Sequence, residues 1–316
     1  HSSDNGSSFA PVSSLSNNNG TSVNPQIAVQ GNNVYVVWQD NTPGNYEIIL
    51  KRILSNGTTL KERNVSRNNG TSANPQIAVQ GNNVYVVWQD NTPGNYDILF
   101  KRSPNNGDGF RSVNLKNTNG TSANPQIAVQ GNNVYVVWQD NTTGNYDIIL
   151  QRSLSNGTKF KDRNLSNNTG TSEMPQISVS AVHMYIVWRD NDNGEYKIFF
   201  KRAQKNNSTG KTDYGPSYSL NGTGEPARPK IAGSEFMYGV WTSYLDKKEK
   251  SVLEFYPFML FDDRSGDSIP LTRLSSNETL SNPDIAVSGN NAFLVWESEG
   301  AGNKDIFFKK VSAKSF

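Results

Sequence analysis

The chain is predicted to be all-β, with six copies of one four-stranded unit. Three observations carry this reading. The six tryptophans, Trp38, Trp88, Trp138, Trp188, Trp241 and Trp296, lie 50, 50, 50, 53 and 55 residues apart. Most close the same alternating apolar stretch, as in Val34-Tyr35-Val36-Val37-Trp38, which is a strand signature. No window carries a helical period. A self-repeat of about 50 residues marks a repeat architecture. Four antiparallel strands per repeat, repeated six times, add up to a six-bladed β-propeller, whereas β-solenoid repeats are usually shorter.

The unit over 121–172 serves as the template. Pro125 to Val129 is the first strand, followed by a hairpin signal in Gly131-Asn132-Asn133. Val134 to Trp138 is the second strand, and Asp140 to Asn145 is a polar turn. Tyr146 to Arg152 is the third strand, Ser155-Asn156-Gly157 turns the chain, and Phe160 to Leu165 is a weaker fourth. The copies fall at about 23–66, 73–115, 123–165, 173–220, 227–275 and 281–311, within a single domain 1–316. Phe9 to Ser22 aligns with Phe160 to Ser172, so the chain starts with a fourth-type strand, residues 9–16. The last copy lacks its own. The N-terminal strand is therefore expected to complete the last blade, close the ring and remove two raw sheet edges.

Composition narrows the function classes. The 316 residues are 34% hydrophobic and 18% charged, with a net charge of +2, so charge alone points to no nucleic-acid or anionic-membrane partner. Cysteine is absent, which removes disulfides, thiolate nucleophiles and cysteine metal sites. The longest apolar stretch, Val252 to Phe261, is interrupted by Glu254 and Pro257 and falls far short of a membrane span. The chain begins with His1 and reads as a mature or trimmed product. Asn-X-Ser/Thr triplets such as Asn56-Gly57-Thr58, Asn64-Val65-Ser66 and Asn156-Gly157-Thr158 fit an extracellular or cell-surface protein, although Asn-Gly is also a turn former. The expected partner is a protein or glycan ligand, and the expected state is a monomer.

The order Pro-X-Ile-Ala, Gly-Asn-Asn, Val-Tyr-Val-Val-Trp, Asp-Asn-X-X-Gly-Asn-Tyr-Asp-Ile and Asn-Leu-Ser resembles the TolB-like β-propeller repeat. Gly144-Asn145-Tyr146-Asp147-Ile148 and Leu271-Thr272-Arg273-Leu274-Ser275 match it best. The first hairpin departs, with Gly-Asn-Asn where that family has Pro-Asp-Gly. Val-Trp-Gln-Asp-Asn also resembles repeat-rich surface propeller proteins of archaea. Sialidase-type propellers are looser relatives, because their Asp-box is missing here. The resemblance implies architecture and suggests a binding role, since propellers share fold more than function.

Candidate chemistry concentrates on the face that carries the fourth-to-first and second-to-third connections. Asp40, Asp90, Asp140 and Asp190, with Arg189, are the candidate ligand-binding residues there. The pairs Asp90/Asp97 and Asp140/Asp147, seven residues apart, are the candidate calcium ligands. The competing reading of these acids is that they cap their own turns. Gln26, Gln76, Gln126, Gln176, Lys230 and Asp284 share one position of the first strand and are the channel-lining candidates. No catalytic set stands out: His1 and His183 are the only histidines. The predicted function is non-enzymatic binding on a repeated polar loop face. The alternatives are a glycan-acting hydrolase, for which Arg189 and Arg228 are the nearest arginines, and a structural module of a surface layer. Copy five departs most, with a charged stretch after Trp241 and no Asp-Asn turn.

Overall fold

A computed structural model describes residues 8, 11–92, 94–113, 115, 119–192, 194–205, 211–220, 224–233, 237–246, 250–257, 272–275, 278–300 and 303–312. Among the described residues there is no helix. The strands fall into six sheets, and neighbouring strands run antiparallel wherever the register is defined. The first sheet holds β1 (Ser22–Gln30), β2 (Asn33–Asp40), β3 (Glu47–Leu54) and β4 (Thr59–Asn64). The second holds β5 (Ser72–Gln80), β6 (Asn83–Asp90), β7 (Asp97–Ser103) and β8 (Arg111–Val113). The third holds β9 (Ser122–Gln130), β10 (Asn133–Asp140), β11 (Asp147–Ser153) and β12 (Lys161–Asn164). The fourth holds β13 (Ser172–Val179), β14 (His183–Asp190), β15 (Lys197–Lys205) and β16 (Thr212–Leu220).

The fifth sheet splits its first strand into β17 (Glu225–Pro226) and β18 (Lys230–Gly233), then continues through β19 (Met237–Asp246), β20 (Lys250–Pro257) and β21 (Thr272–Ser275). The sixth holds β22 (Thr279–Ser288), β23 (Asn291–Glu299) and β24 (Lys304–Ser312). The long strand expected from Val252 to Phe261 runs as Lys250–Pro257, and 258–261 lie outside the described residues. The closing strand expected at 9–16 is not a strand over 11–16, and residues 9 and 10 lie outside the described residues. Pro11 and three serines leave that segment little apolar alternation to pair on.

Two compact units partition the chain: His1–Gly144 with Ile149–Arg163, and Asn145–Ile148 with Asn164–Phe316. In the first unit the sheets stack face to face. Tyr35, Val37, Ile48 and Leu50 of the first sheet meet Val84, Val86 and Trp88 of the second. Tyr85, Val87, Ile98 and Phe100 of the second meet Val134, Val136 and Trp138 of the third. Successive residues of a strand point to opposite faces, so a second strand sandwiched on both sides must be apolar at every position. That is why it reads Val-Tyr-Val-Val-Trp without a polar partner. The second unit repeats the scheme: Tyr185, Val187 and Phe200 pack on Met237 and Trp241, and Tyr238, Val240 and Phe255 pack on Leu280 and Leu294.

The first strand of every sheet except the fifth carries a bulge before its proline. The register slips between Val23 and Gln26, between Ala73 and Gln76, and between Glu173 and Gln176. Asn24, Asn74, Asn124, Met174 and Asn282 occupy the bulge with φ between 47° and 55°. Asparagine tolerates this left-handed conformation, and methionine does not readily.

Candidate functional site

The repeated connection is a clasp built around one aspartate. At the end of β6, Asp90 Oδ2 accepts from Asn68 Nδ2 (2.7 Å), Ser72 Oγ (2.7 Å) and the Trp88 indole N–H (3.1 Å), while Oδ1 accepts from Thr92 N (2.9 Å) and the Thr92 hydroxyl. Asp40 repeats the set with Asn18, Ser22, Trp38 and Thr42 N, and Asp190 with Asn168, Ser172, Trp188 and Asp192 N. Asp140 accepts from Ser122 Oγ and Thr142 N. All four carboxylates are buried. Burial alone would raise the pKa of Asp40 and Asp90. Their hydrogen bonds, led by Ser22 and Ser72, outweigh it and hold both below the usual carboxylate range. The donors are N–H and O–H groups, so the geometry is that of a turn cap that also anchors the tryptophan.

The clasp needs a close approach of two loops. A Cβ on Gly70 would lie 2.5 Å from Thr92 N, so only glycine fits. Asn91 Oδ1 accepts from Thr71 N at 2.6 Å, and Asn45 Nδ2 donates to the carbonyls of Asn68 and Gly70. The acids Glu47, Asp97 and Asp147 start the third strands and are buried. Glu47 accepts from Ser66 Oγ and Asn68 N, and Asp147 from Asn164 Nδ2 and Ser166 Oγ. Among the described residues no group of three or more His, Asp or Glu is placed to hold a metal ion.

The Gln26, Gln76, Gln126, Gln176, Lys230 and Asp284 positions are structurally equivalent. Each pairs with a valine of the second strand, from Val37 through Val295. A different glutamine forms the inter-sheet network. Gln39 Oε1 accepts from Asn24 Nδ2 (2.9 Å) and from Asn74 N of the next sheet (3.0 Å), and Gln89 Oε1 accepts from Asn74 Nδ2 and Asn124 N (3.0 and 3.2 Å).

The fourth sheet breaks this pattern at several places, all within the second unit. Arg189 stands where Gln39 and Gln89 stand, Met174 where Asn24 and Asn74 stand, Glu195 where Asn45 stands, and Lys197 where Glu47 stands. Arg189 Nε lies 3.0 Å from Glu173 Oε1 and its Nη2 3.3 Å from Glu225 Oε1. Its Nη1 donates to Pro226 O (3.1 Å), and its guanidinium lies 3.7 Å from the Tyr196 ring centre. Glutamate at 195 cannot donate as Asn45 does. Beside it lies a concavity of about 770 Å³, lined by Glu195, Tyr196, Lys197, Glu225, Pro226 and Trp241 among others. Of the residues singled out in the sequence, the structure brings Arg189 to this pocket, bonded to its wall at Glu225 and Pro226, and leaves Arg228 exposed. The lining residues Glu195, Tyr196, Glu225 and Trp241 were not anticipated. Their signal was the coincidence of three departures from the repeat within nine residues, 189, 195 and 197.

The fifth sheet keeps the clasp with other atoms. Ser243 replaces the aspartate, and Glu254 on the neighbouring strand accepts from Trp241 Nε1 (2.6 Å) and Ser243 Oγ (2.7 Å), with Arg273 Nε 3.3 Å away. In the sixth, Ser298 donates to Glu278.

No family model matches the chain, and no curated protein matches its sequence. Solved structures match in fold. A protein of unknown function from Dyadobacter fermentans aligns over 93% of this chain and 95% of its own at 8% identity, TM-score 0.58. An ulvan lyase of polysaccharide lyase family PL25 aligns over 92% of this chain and 78% of its own at 9% identity, TM-score 0.59. A subtype N10 neuraminidase-like protein of A/little yellow-shouldered bat/Guatemala/060/2010 aligns over 92% of this chain and 94% of its own at 11% identity, TM-score 0.52. These neighbours are β-propeller folds, and at such identities the likeness shows the fold alone.

Proposed function

We propose that the protein is an extracellular binding propeller that takes a saccharide in the pocket of its fourth sheet. The observation that carries this is the coincidence of a concavity of about 770 Å³ with the breaks in the repeat at Arg189, Glu195 and Lys197; the concavity beside the unbroken clasp of the first sheet, at Asn18, Trp38 and Asp40, is smaller, about 410 Å³. The larger volume falls in the range of small-molecule sites. Tyr196 offers an aromatic surface, and Glu195, Glu225 and Lys197 offer directional polar groups. The ulvan lyase and the neuraminidase-like protein place glycan-related names on the same fold, which supports a sugar over a protein as ligand. Glycan-array binding followed by titration tests the reading. Wild type should bind selected oligosaccharides, Tyr196→Ala should lose most of the affinity, and an array without hits would reject it. One observation favours the second reading, a glycan-acting hydrolase: two carboxylates, Glu195 and Glu225, line one pocket. Chromatography of the bound oligosaccharide after prolonged incubation separates the two. Cleavage abolished by Glu195→Gln or Glu225→Gln would establish the enzyme.

We further propose that the six sheets are the blades of one closed TolB-like ring. The packing repeat supports this. Ile48 and Leu50 of the first sheet are covered by the second, where Ile77 and Val79 pack against them. The equivalent Ile306 and Phe308 of the sixth sheet are 72% and 64% exposed, and Ile27 and Val29 of the first are 67% and 59% exposed. Both faces are apolar, as a blade-to-blade interface requires. The N-terminal segment also sits where a fourth strand hands over to the next sheet. Lys51 Nζ donates to Leu15 O (2.6 Å) as Lys101 Nζ donates to Val65 O (2.6 Å). The chain has no cysteine, so Ile27→Cys with Phe308→Cys gives an unambiguous pair for a short bis-maleimide. A cross-linked monomer supports closure, and cross-linked oligomers without monomer would replace it with head-to-tail assembly.

A further inference from the structure

We infer that the ligand of the fourth-sheet pocket is an acidic saccharide and that Lys197 is the residue that selects its anionic group. This rests on the saccharide reading above and narrows it.

Lys197 opens β15 opposite Asp190, the register at which Glu47 faces Asp40 and Asp97 faces Asp90. At those places a buried acid is the rule. Glu47 uses its carboxylate to accept from the loop that follows the fourth strand. Lysine reverses that charge and cannot serve as the acceptor. Among the described residues the Lys197 side chain makes no hydrogen bond and no ion pair, although the residue is half-buried and lines the pocket. The carboxylate opposite it does not serve as a counter-ion. Asp190 is bonded to Ser172, Asn168, Trp188 and Asp192 N.

The other cation at the pocket is committed elsewhere. Arg189 is held by Glu173, Glu225 and the Pro226 carbonyl and lies against Tyr196, so it serves to build the wall. Among the described lining residues Lys197 is therefore the uncommitted cation. The ammonium of a half-buried lysine without a partner gains most from an anion, through a charge-assisted hydrogen bond. A neutral sugar leaves it unpaired. The shared chemistry is a sugar carrying an oxyanion, either the carboxylate of a uronate or a sulfate ester. Lysine acts as a point charge and does not demand a planar, two-pronged partner, so the positional requirement on the anion is loose.

The test titrates wild type and variants calorimetrically with three oligosaccharides of equal length: uronate-containing, sulfated and neutral. In wild type at least one acidic probe should bind about tenfold or more tighter than the neutral one, with the preference shrinking as salt rises. Which acidic probe binds distinguishes carboxylate from sulfate. Lys197→Gln should abolish the preference for the acidic probe over the neutral one, and Lys197→Arg should retain it. Tyr196→Ala should weaken all three. If Lys197→Gln does not fold, the salt dependence of the wild-type preference decides alone. Equal binding of acidic and neutral probes, lost in Tyr196→Ala, would overturn this inference and keep the saccharide site. Absence of binding by all three would overturn both.

Discussion

Residues 94–96 and 194–196 occupy the same place in two copies of the repeat, yet the first belongs to a tied joint and the second borders a pocket. Both copies keep the aspartate that anchors the tryptophan: Asp90 holds Trp88 and Asp190 holds Trp188. They differ one layer out. Asn95 ties its turn to the Gly120 carbonyl, and Gln89 reaches Asn124 N of the next sheet. Glu195 and Arg189 make neither contact in that form, and Arg189 pairs with acids instead. The clasp is thus the part that stability requires, and the ties around it are the part that can be altered to make space. The fifth sheet supports this division: it moves the carboxylate to Glu254, on another strand, and still satisfies the indole of Trp241.

The comparison breaks most severely if the clasp is removed. Asp90→Ala leaves Ser72, Asn68, Thr92 N and Trp88 Nε1 without their acceptor, several of them buried. Unfolding in urea should show a loss of about 3–5 kcal/mol. A loss below about 1 kcal/mol would mean the clasp is incidental.

A smaller effect follows from pH. The folded-state pKa values of Asp40 and Asp90 are depressed, so their contribution is complete above the ordinary carboxylate pKa. It is lost as pH falls through that range toward the folded values. Stability should therefore decline between about pH 5 and pH 2. Asp90→Asn should flatten part of that slope in thermal melts, and an unchanged slope would remove Asp90 as a source of it.

The smallest effect sharpens the comparison. Met174 holds a φ of 55°, where four other sheets have asparagine at Asn24, Asn74, Asn124 and Asn282. Met174→Asn should stabilise by about 0.5–1 kcal/mol by easing that conformation. A destabilisation would show that the methionine side chain contributes more than its backbone costs.

Much of the fold was legible because one alternation recurs six times at a fixed tryptophan. The strand read as Pro125 to Val129 runs over Ser122–Gln130, and that read as Val134 to Trp138 runs over Asn133–Asp140. The extensions are the bulge and the clasp, which depend on side-chain bonds that hydrophobic periodicity does not register. The acids Asp40, Asp90, Asp140 and Asp190 were legible as turn residues, but not as indole anchors, because the indole N–H is a tertiary partner. The pocket was less legible still. Glu225 and Trp241 follow Tyr196 by 29 and 45 residues; the pairing of β17 with β19 joins the first two, and the packing of β17 on β15 sets them beside the third.

The glutamine network has a consequence for how such a chain can change. Gln39 accepts the amide of Asn74, and Gln89 that of Asn124, so each joint is made by two successive copies, one giving the side chain and the other the backbone. Duplicated units fit one another from the outset, whatever their number. A unit that drifts alone, by contrast, mismatches its successor. Innovation is therefore confined to places where both partners shift together, as Arg189 and Pro226 have. The long identical stretches of the early copies are, in this sense, a lock on divergence, and the fourth copy is where the lock was released.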